Sequence, residues 1–372
     1  MRGPNLNGKI DKDWLRHELF IAFMDARKRK TNTADEYKFE VNFAENIEIL
    51  LEDILNGTYQ PSPGVAFVVE KPVKREIFAA PFRDRVIHHF LYNMCAEWWD
   101  RHLIYNSFSC RKGKGTLFGV KRMEHDIRSV SNNYTRPTYI IKLDVQGYFM
   151  SLSREKLFAR IKWGLDRQLP KGGDKYRLLK YLWREIIFDE PTKGVMKRPP
   201  YSAWNDLPNS KSLFHQPKGQ GIVIGNLSSQ LLSNIFMDSF DRFVTETLGY
   251  KHYGRYVDDF YIVVPKSELK KAIFDIETIR KFLAGMGLIL HPNKIYIQDV
   301  KKGVAFLGMV IYPFGIVAGK RFKRNFYQAA YSYSQGFKEN ETIVSYMGWL
   351  KHIRGKKLCD KVFSAVGWDY QY

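Results

Sequence analysis

Three carboxylates stand where an apolar context makes charge costly. Asp144 follows the apolar run "YIIKL", and Asp258 and Asp259 interrupt a second one, "HYGRYVDDFYIVV" at 252–264. An acid at the end of a buried strand is unfavourable unless it is paired, hydrogen-bonded or metal-bound. Two or three carboxylates with a backbone carbonyl make a hard-oxygen site for Mg²⁺. A pair of such ions about 3.5–4 Å apart can activate an attacking 3′-hydroxyl and stabilise a leaving pyrophosphate. Asp-Asp is also a favourable turn dipeptide. The apolar flanks, the acid on a second strand and the basic chain around them raise the metal reading above that one.

For these acids to meet, the elements carrying them must be neighbours. "TYIIKLDV" (138–145) is β-rich and reads as a buried strand ending near Asp144, and 252–264 reads as strand, tight turn, strand. Between them lie a helix over 153–165 with Ser153 as its cap, an insertion over 166–220 that is irregular apart from a helix near 174–187, and a helical stripe of Leu231, Leu232, Ile235, Phe236, Phe240, Phe243, Val244 and Leu248. A capped helix over 267–287 and the strands "NKIYIQ" and "GVAFLGMVIY" follow. That order predicts an α+β, ferredoxin-like sheet in which the first strand lies beside the hairpin turn and brings Asp144 to Asp258. Upstream, 12–57 reads as helices broken by "KRKTNTADEYK", 64–81 as two short strands around a basic turn, and 82–103 as a helix. The stretch "GQGIVIGNLSSQLLSNIF" (219–236) reads as a turn into a helix, with Ser228 or Ser229 as cap and Gly225 allowing close backbone approach.

The chain has 372 residues, 45% hydrophobic and 15% aromatic, enough for two or three packed subdomains. Its 59 Lys and Arg against 39 Asp and Glu give a net charge of +20, which points to a polyanionic partner. Aromatics interleave with the basic residues in "KRFKRNFYQAAYSYSQGF" (320–337), the mixture used for base stacking with phosphate contacts. Cys95, Cys110 and Cys359 lie far apart, with no zinc spacing and no disulfide framework. No signal-peptide core and no spanning apolar run stands out, so a soluble cytoplasmic protein without a membrane partner is expected.

The residues around the acids carry a resemblance. "YVDDF" (256–260) resembles the [YF]xDD box of reverse transcriptases, and "IIKLDVQGYF" (140–149) resembles their first catalytic motif. "VKREIFAAPFRDRVIHHFL" (73–91), "SFSCRKGKGT" (107–116), "GLILHPNKIYI" (287–297) and "VAFLGMVI" (304–311) resemble further blocks in the same order. The resemblance implies a right-hand polymerase fold: an N-terminal helical extension (1–60), fingers (61–137), a ferredoxin-like palm (138–318) and a small helical thumb (319–372). It implies Asp144, Asp258 and Asp259 as ligands of two Mg²⁺ ions, for which Mn²⁺ can substitute, with the Val145 carbonyl helping. Arg75, with Lys71 or Lys74, would sit over the incoming triphosphate. Phe149 would be the gate against a ribose 2′-hydroxyl, Lys294 would lie near the nucleotide, and Phe306, Leu307 and Gly308 would support the primer end.

Most reverse transcriptases read QGxxxSP where this chain reads "IGNLSSQ" (224–230), with Ile224 for the Gln and Gln230 for the Pro. That variant, with "WNDLPNSKSLFHQPKGQG" (204–221) and "SYMGWLKHI" (345–353), resembles the reverse transcriptases of diversity-generating retroelements. The resemblance then implies nucleotide-pocket roles for Ile224, Gly225 and Gln230. It implies dNTP substrates, copying of a template-repeat RNA into cDNA with errors opposite adenine, and a homopentameric accessory variability protein as partner. The alternatives are a reverse transcriptase of group II intron, retron or phage-defence type, and a non-catalytic RNA-binding scaffold.

Overall fold

The computed structural model describes residues 3–28, 33–71, 73–336 and 341–367. The chain runs through α1 (Lys12–Arg27), α2 (Ala34–Val41), α3 (Phe43–Leu55), β1 (Val65–Val69), β2 (Arg75–Ala79), α4 (Phe82–His102), α5 (Thr116–Ser131) and β3 (Thr138–Gln146). It continues through α6 (Tyr148–Ser151), α7 (Arg154–Gln168), α8 (Asp174–Phe188), β4 (Met196–Lys197) and α9 (Leu227–Arg242). Then come β5 (Tyr253–Tyr256), β6 (Asp259–Pro265), α10 (Leu269–Met286), β7 (Ile289–Leu290), β8 (Tyr296–Asp299), β9 (Val304–Phe306), β10 (Met309–Tyr312), β11 (Gly315–Ala318), α11 (Lys320–Ser334), α12 (Glu341–Leu350) and α13 (Lys356–Ala365). Two compact units divide it: Met1–Tyr105, Val145–Phe243 and Arg280–Leu290 make the first, and Asn106–Asp144, Val244–Ile279 and His291–Tyr372 the second.

In the first unit, the Asp11 side chain caps α1 by accepting from the backbone N–H groups of Asp13 and Trp14. Leu15, Leu19, Leu50, Leu51, Ile54, Phe82, Phe90, Trp99 and Trp183 are buried in its helical part. β1 and β2 form an antiparallel pair, and β4 adds to β1 in parallel. Ser153 caps α7 as expected, accepting from the Lys156 N–H. The expectation for α9 is corrected: Asn226, not Ser228 or Ser229, occupies the N-cap position, and its side chain accepts from the Ala80 N–H instead of the helix. Ser228 and Ser229 fall inside the first turn of α9, and the Ser228 hydroxyl pairs with the buried His88 Nδ1 at 2.8 Å.

In the second unit, β6 and β8 flank β3 antiparallel and β5 pairs β6. The order β5-β6-β3-β8 is that of a ferredoxin-like βαββαβ sheet. β3 runs one residue past the expected 138–145, to Gln146. Val145 and Gln146, already in the first unit, pair with Leu290 and Ile289 of β7. Helix α5, not among the elements expected from the sequence, packs Val120, Met123, Ile127 and Val130 into a core with Ile140, Tyr261, Val263, Phe306 and Met309. Its fully buried Asp126 accepts from the Tyr261 hydroxyl at 2.9 Å, tying α5 to the sheet. The same core takes Phe326 of α11, Ile343 and Leu350 of α12, and Val362 and Phe363 of α13. On α11 the opposite face is exposed and basic, with Lys320, Arg321, Lys323 and Arg324 beside Tyr327 and Tyr331. Phe337, the last residue of that basic aromatic stretch, and 29–32 of the polar break lie outside the described residues, as do 338–340 and 368–372 of the thumb segment. Among the described residues no helix is long and apolar enough to cross a membrane.

Candidate active site

The register of β3 on β6 places Asp144 directly opposite Asp259. Directly opposed residues of a strand pair point to the same face of the sheet. Asp259, rather than Asp258, is therefore Asp144's cross-strand partner, because Tyr256 pairs Asp259 and leaves Val257 and Asp258 as the two turn residues. Burial pushes the Asp259 carboxyl up to about 6; the negative charges of Asp144 and Asp258 push the same way, while Lys142 and Lys294 oppose it. Lys294 Nζ lies 3.0 Å from Asp144 Oδ1, and the His291 N–H donates to the Asp144 carbonyl at 2.8 Å. Among the described residues no three His, Cys, Asp or Glu side chains converge on one metal-sized position. The opposed, oxygen-only pair with Asp258 in the adjoining turn suits a hard divalent ion.

The turn carrying Asp258 is strained and clamped. Val257 has φ +59°, a conformation rare for a β-branched residue, and takes the position that glycine usually fills in a two-residue hairpin loop. Its N–H donates to the Ser109 hydroxyl at 3.3 Å, and its carbonyl accepts from Arg255 Nη1 at 2.8 Å. Arg255 is fully buried and also donates to the Ser107 hydroxyl at 3.3 Å. The Arg255 N–H and carbonyl bond to Asn106 and Phe108, so the 106–109 segment runs alongside β5 as an extra edge. Sequence reasoning quoted "SFSC" but assigned no role to Ser107, Ser109 or Arg255. The signal was a lone arginine one position before the box, inside an apolar strand.

The β9–β10 hairpin belongs to a separate three-stranded sheet, β11-β10-β9, in the same unit. Leu307 (φ +47°) and Gly308 (φ +85°) are its two turn residues, between the paired Phe306 and Met309. Phe306 is buried and edge-on to Tyr261 of β6 at 5.5 Å between ring centres. Lys142 Nζ donates to the Ala305 carbonyl at 2.8 Å, linking β3 to β9. The second unit thus brings together Asp144, Asp258, Asp259 and Lys294, and sets Phe306, Leu307 and Gly308 on a hairpin bonded to the same strand.

The remaining expected residues lie in the first unit. Val145 is buried and paired with Leu290. Lys71 and Arg75 are exposed, and Lys74 Nζ stands 3.7 Å from Asp206 Oδ2. Ile224 runs beside β2: its carbonyl accepts from the Phe78 N–H at 2.9 Å. A Cβ on Gly225 (φ +135°) would meet the Phe78 carbonyl oxygen at 2.5 Å, so this close approach requires glycine. The Phe149 carbonyl accepts from the Ile222 N–H at 2.9 Å, which brings Phe149 to the same turn. Gln230 is exposed on the first turn of α9. Phe149, Ile224, Gly225 and the end of β2 therefore form one neighbourhood.

Residues 74–311 match the family described as reverse transcriptase (RNA-dependent DNA polymerase). Protein YkfC of Escherichia coli (strain K12) is 20% identical over 307 residues, 72% of each chain. Among solved structures, telomerase from Candida albicans, in complex with the TWJ fragment of telomeric RNA, matches with a TM-score of 0.51 at 12% identity. That match covers 89% of this chain and 59% of the telomerase chain, so this chain spans well under two thirds of that protein's length. The likeness shows the fold, a mixed α+β right-hand polymerase architecture. The matched segment takes in β2, every strand of the ferredoxin-like sheet and the Asp144–Asp259 pair, and with it the chain belongs to the reverse transcriptase (RNA-dependent DNA polymerase) family.

Proposed function

We propose that this chain is the RNA-directed DNA polymerase of a diversity-generating retroelement, copying a template-repeat RNA into cDNA with errors opposite adenine. The observation that carries the polymerase reading is the cross-strand pair Asp144–Asp259 beside the Asp258 turn. In this reading Asp144, Asp258, Asp259 and the Val145 carbonyl hold two divalent ions, Mg²⁺ or in its place Mn²⁺. Such ions, when bound, lower the pKa of a primer 3′-hydroxyl and neutralise a leaving pyrophosphate. The chain's own groups orient the reactants. Lys74 and Arg75 receive the triphosphate, and Lys294 supplies a cation near it. Phe149 bars the 2′-hydroxyl, and Phe306, Leu307 and Gly308 hold the primer end. Residues 61–137 serve as fingers, 138–318 as palm and 319–372 as thumb, after the 1–60 extension.

The retroelement assignment rests on Ile224 and Gln230 in place of the residues usual for the family. Ile224 has no side-chain donor or acceptor, and losing one positional hydrogen bond is worth about 0.5–1.5 kcal/mol, up to about tenfold in discrimination. The basic excess and the exposed cationic face of α11 support RNA and cDNA as partners, with a homopentameric accessory variability protein as the further partner of this reading. The test is a templated extension with the purified chain, its RNA, dNTPs and Mg²⁺ or Mn²⁺, followed by product sequencing. Extension that is lost in Asp258→Ala, with errors concentrated opposite adenine, is expected. Errors spread evenly over the four template bases would remove the retroelement assignment, and a wild type that never extends would remove the polymerase reading.

A further inference from the structure

The insertion between α8 and α9 is fastened to the nucleotide-pocket neighbourhood of the first unit by one buried acid. Glu76, on β2 one residue after Arg75, is fully buried. Its Oε1 accepts from Trp204 Nε1 at 2.8 Å and from the Ser212 hydroxyl at 3.0 Å, and its Oε2 accepts from the Leu213 N–H at 2.7 Å. A buried carboxylate is expensive unless its lone pairs are met, and here all three donors come from the insertion. The insertion answers with apolar contacts. Leu213 is buried with Phe78, Ala66 and Met150, and Trp204, Phe214, Val223 and Ile224 pack against that cluster. Lys197 lies over the Phe214 ring at 4.0 Å and the Trp204 ring at 5.2 Å, closing the outer side. The insertion also meets the turn before Phe149: a Cβ on Gly147 would stand 3.2 Å from the Ser210 carbonyl oxygen.

We propose that the segment 201–216, clipped to β2 by Glu76, is a specificity-determining wall for the incoming deoxynucleoside triphosphate. The inference rests on the polymerase reading and adds a second element to it. Ile224 is half-buried and packs against the same buried cluster of Ala66, Phe78, Met150 and Leu213 that Trp204 and Phe214 of the insertion cover. The ladder and backbone bonds hold Arg75, Phe78, Phe149 and Ile224 in line, and the clipped insertion adds the side-chain backing of the cluster that contains Phe78 and Ile224. Glu76, Trp204 and Ser212 are positioning residues: Glu76 holds the wall through Trp204 and Ser212, and none of the three touches the substrate. A wall free to retreat accommodates a mispaired base, because discrimination depends on how tightly the pocket shape is held.

Glu76→Gln replaces an acceptor with a donor facing the Leu213 N–H, and Trp204→Phe keeps the ring while deleting one donor. In templated extension, both variants are expected to raise misinsertion by about threefold to tenfold, the discrimination that a lost positional hydrogen bond supports. The KM for the correct dNTP should rise with it, each change exceeding the change in kcat. Trp204→Phe and Ser212→Ala keep the test open if Glu76→Gln fails to fold, which circular dichroism and a thermal melt would reveal. Misinsertion and KM at wild-type levels in Trp204→Phe and Ser212→Ala would overturn the proposal. A fall in kcat alone, at unchanged misinsertion, would also overturn it and leave the clip as a folding device. Both results presuppose a wild type that extends primers, so they are distinct from failure of the polymerase reading.

Discussion

The Lys294 ammonium lies 3.0 Å from Oδ1 of Asp144, on the face where Asp144 opposes Asp259. It neutralises one member of a carboxylate pair that would otherwise repel, and it stands where a divalent ion would bind. Metal binding at Asp144 must then displace Lys294 or share the carboxylate with it. The lysine side chain is 56% exposed, so the pair is worth about 0.2–1 kcal/mol, a factor of about five at most. Lys294→Gln is expected to tighten Mn²⁺ binding by up to about fivefold, read as free Mn²⁺ by electron paramagnetic resonance without nucleotide. Binding that weakens in the variant would show that Lys294 does not compete with the ion.

The Val257 turn supports a second prediction. Val257 holds a positive φ that costs about 1–3 kcal/mol in a non-glycine residue. Val257→Gly removes that strain but adds unfolded-state entropy, so stability should stay within about 1 kcal/mol of wild type. Arg255→Lys is different, because one ammonium replaces a fork that reaches both the Val257 carbonyl and the Ser107 hydroxyl. A loss of about 1–3 kcal/mol in urea titration is expected, with a larger loss of primer extension than Val257→Gly shows. Equal stability in the two variants would mean that the guanidinium does not hold the turn.

The sequence showed the acids, the hairpin and the strand order because each leaves a local mark: charge in an apolar run, alternation, or helical spacing. Register is not such a mark. The sequence places the hairpin beside Asp144, but only the register shows that Asp259 is its directly opposed ladder partner and that Asp258 lies in the adjoining turn. The Ser228 or Ser229 cap failed because the helix starts at Leu227 and takes both serines into its first turn, where the Ser228 hydroxyl pairs with His88, 140 positions upstream. Glu76 read as one more polar residue in a short strand, and its three donors lie 128 to 137 positions away. Helix α5 went unread although it carries the buried Asp126, whose partner is a tyrosine on β6. What remained illegible is long-range polar pairing, where neither partner is unusual alone.

His88 carries a pH prediction. Burial, with the charges of His89 and Arg85, lowers its pKa to about 3 from the usual 6.5. Between those values the unfolded chain binds a proton that the folded one does not, so stability rises with pH across the window and is lost as pH falls below 6.5. The slope approaches about 1.4 kcal/mol per pH unit well below 6.5. Urea midpoints at pH 7.5, 6.0 and 5.0 should therefore fall more steeply for wild type than for His88→Gln, which has no titrating ring. Parallel curves would show that His88 gains its proton without unfolding.

Ile224 joins the fold to the proposed infidelity, because its backbone and side chain serve different ends. The carbonyl is committed to the Phe78 N–H, whichever side chain is present. The side chain packs against the buried cluster of Ala66, Phe78, Met150 and Leu213. In Ile224→Gln the backbone bond survives and the methylenes replace part of the apolar contact, but the amide must reach water or the nucleotide. Stability should drop by about 1 kcal/mol, as for a half-buried apolar-to-polar change. If the missing hydrogen bond is what loosens the pocket, errors opposite adenine should fall by up to about tenfold in templated extension with sequenced products. An unchanged error frequency at the expected stability loss would separate the two roles, leaving Ile224 as packing and moving the source of infidelity to the wall behind it.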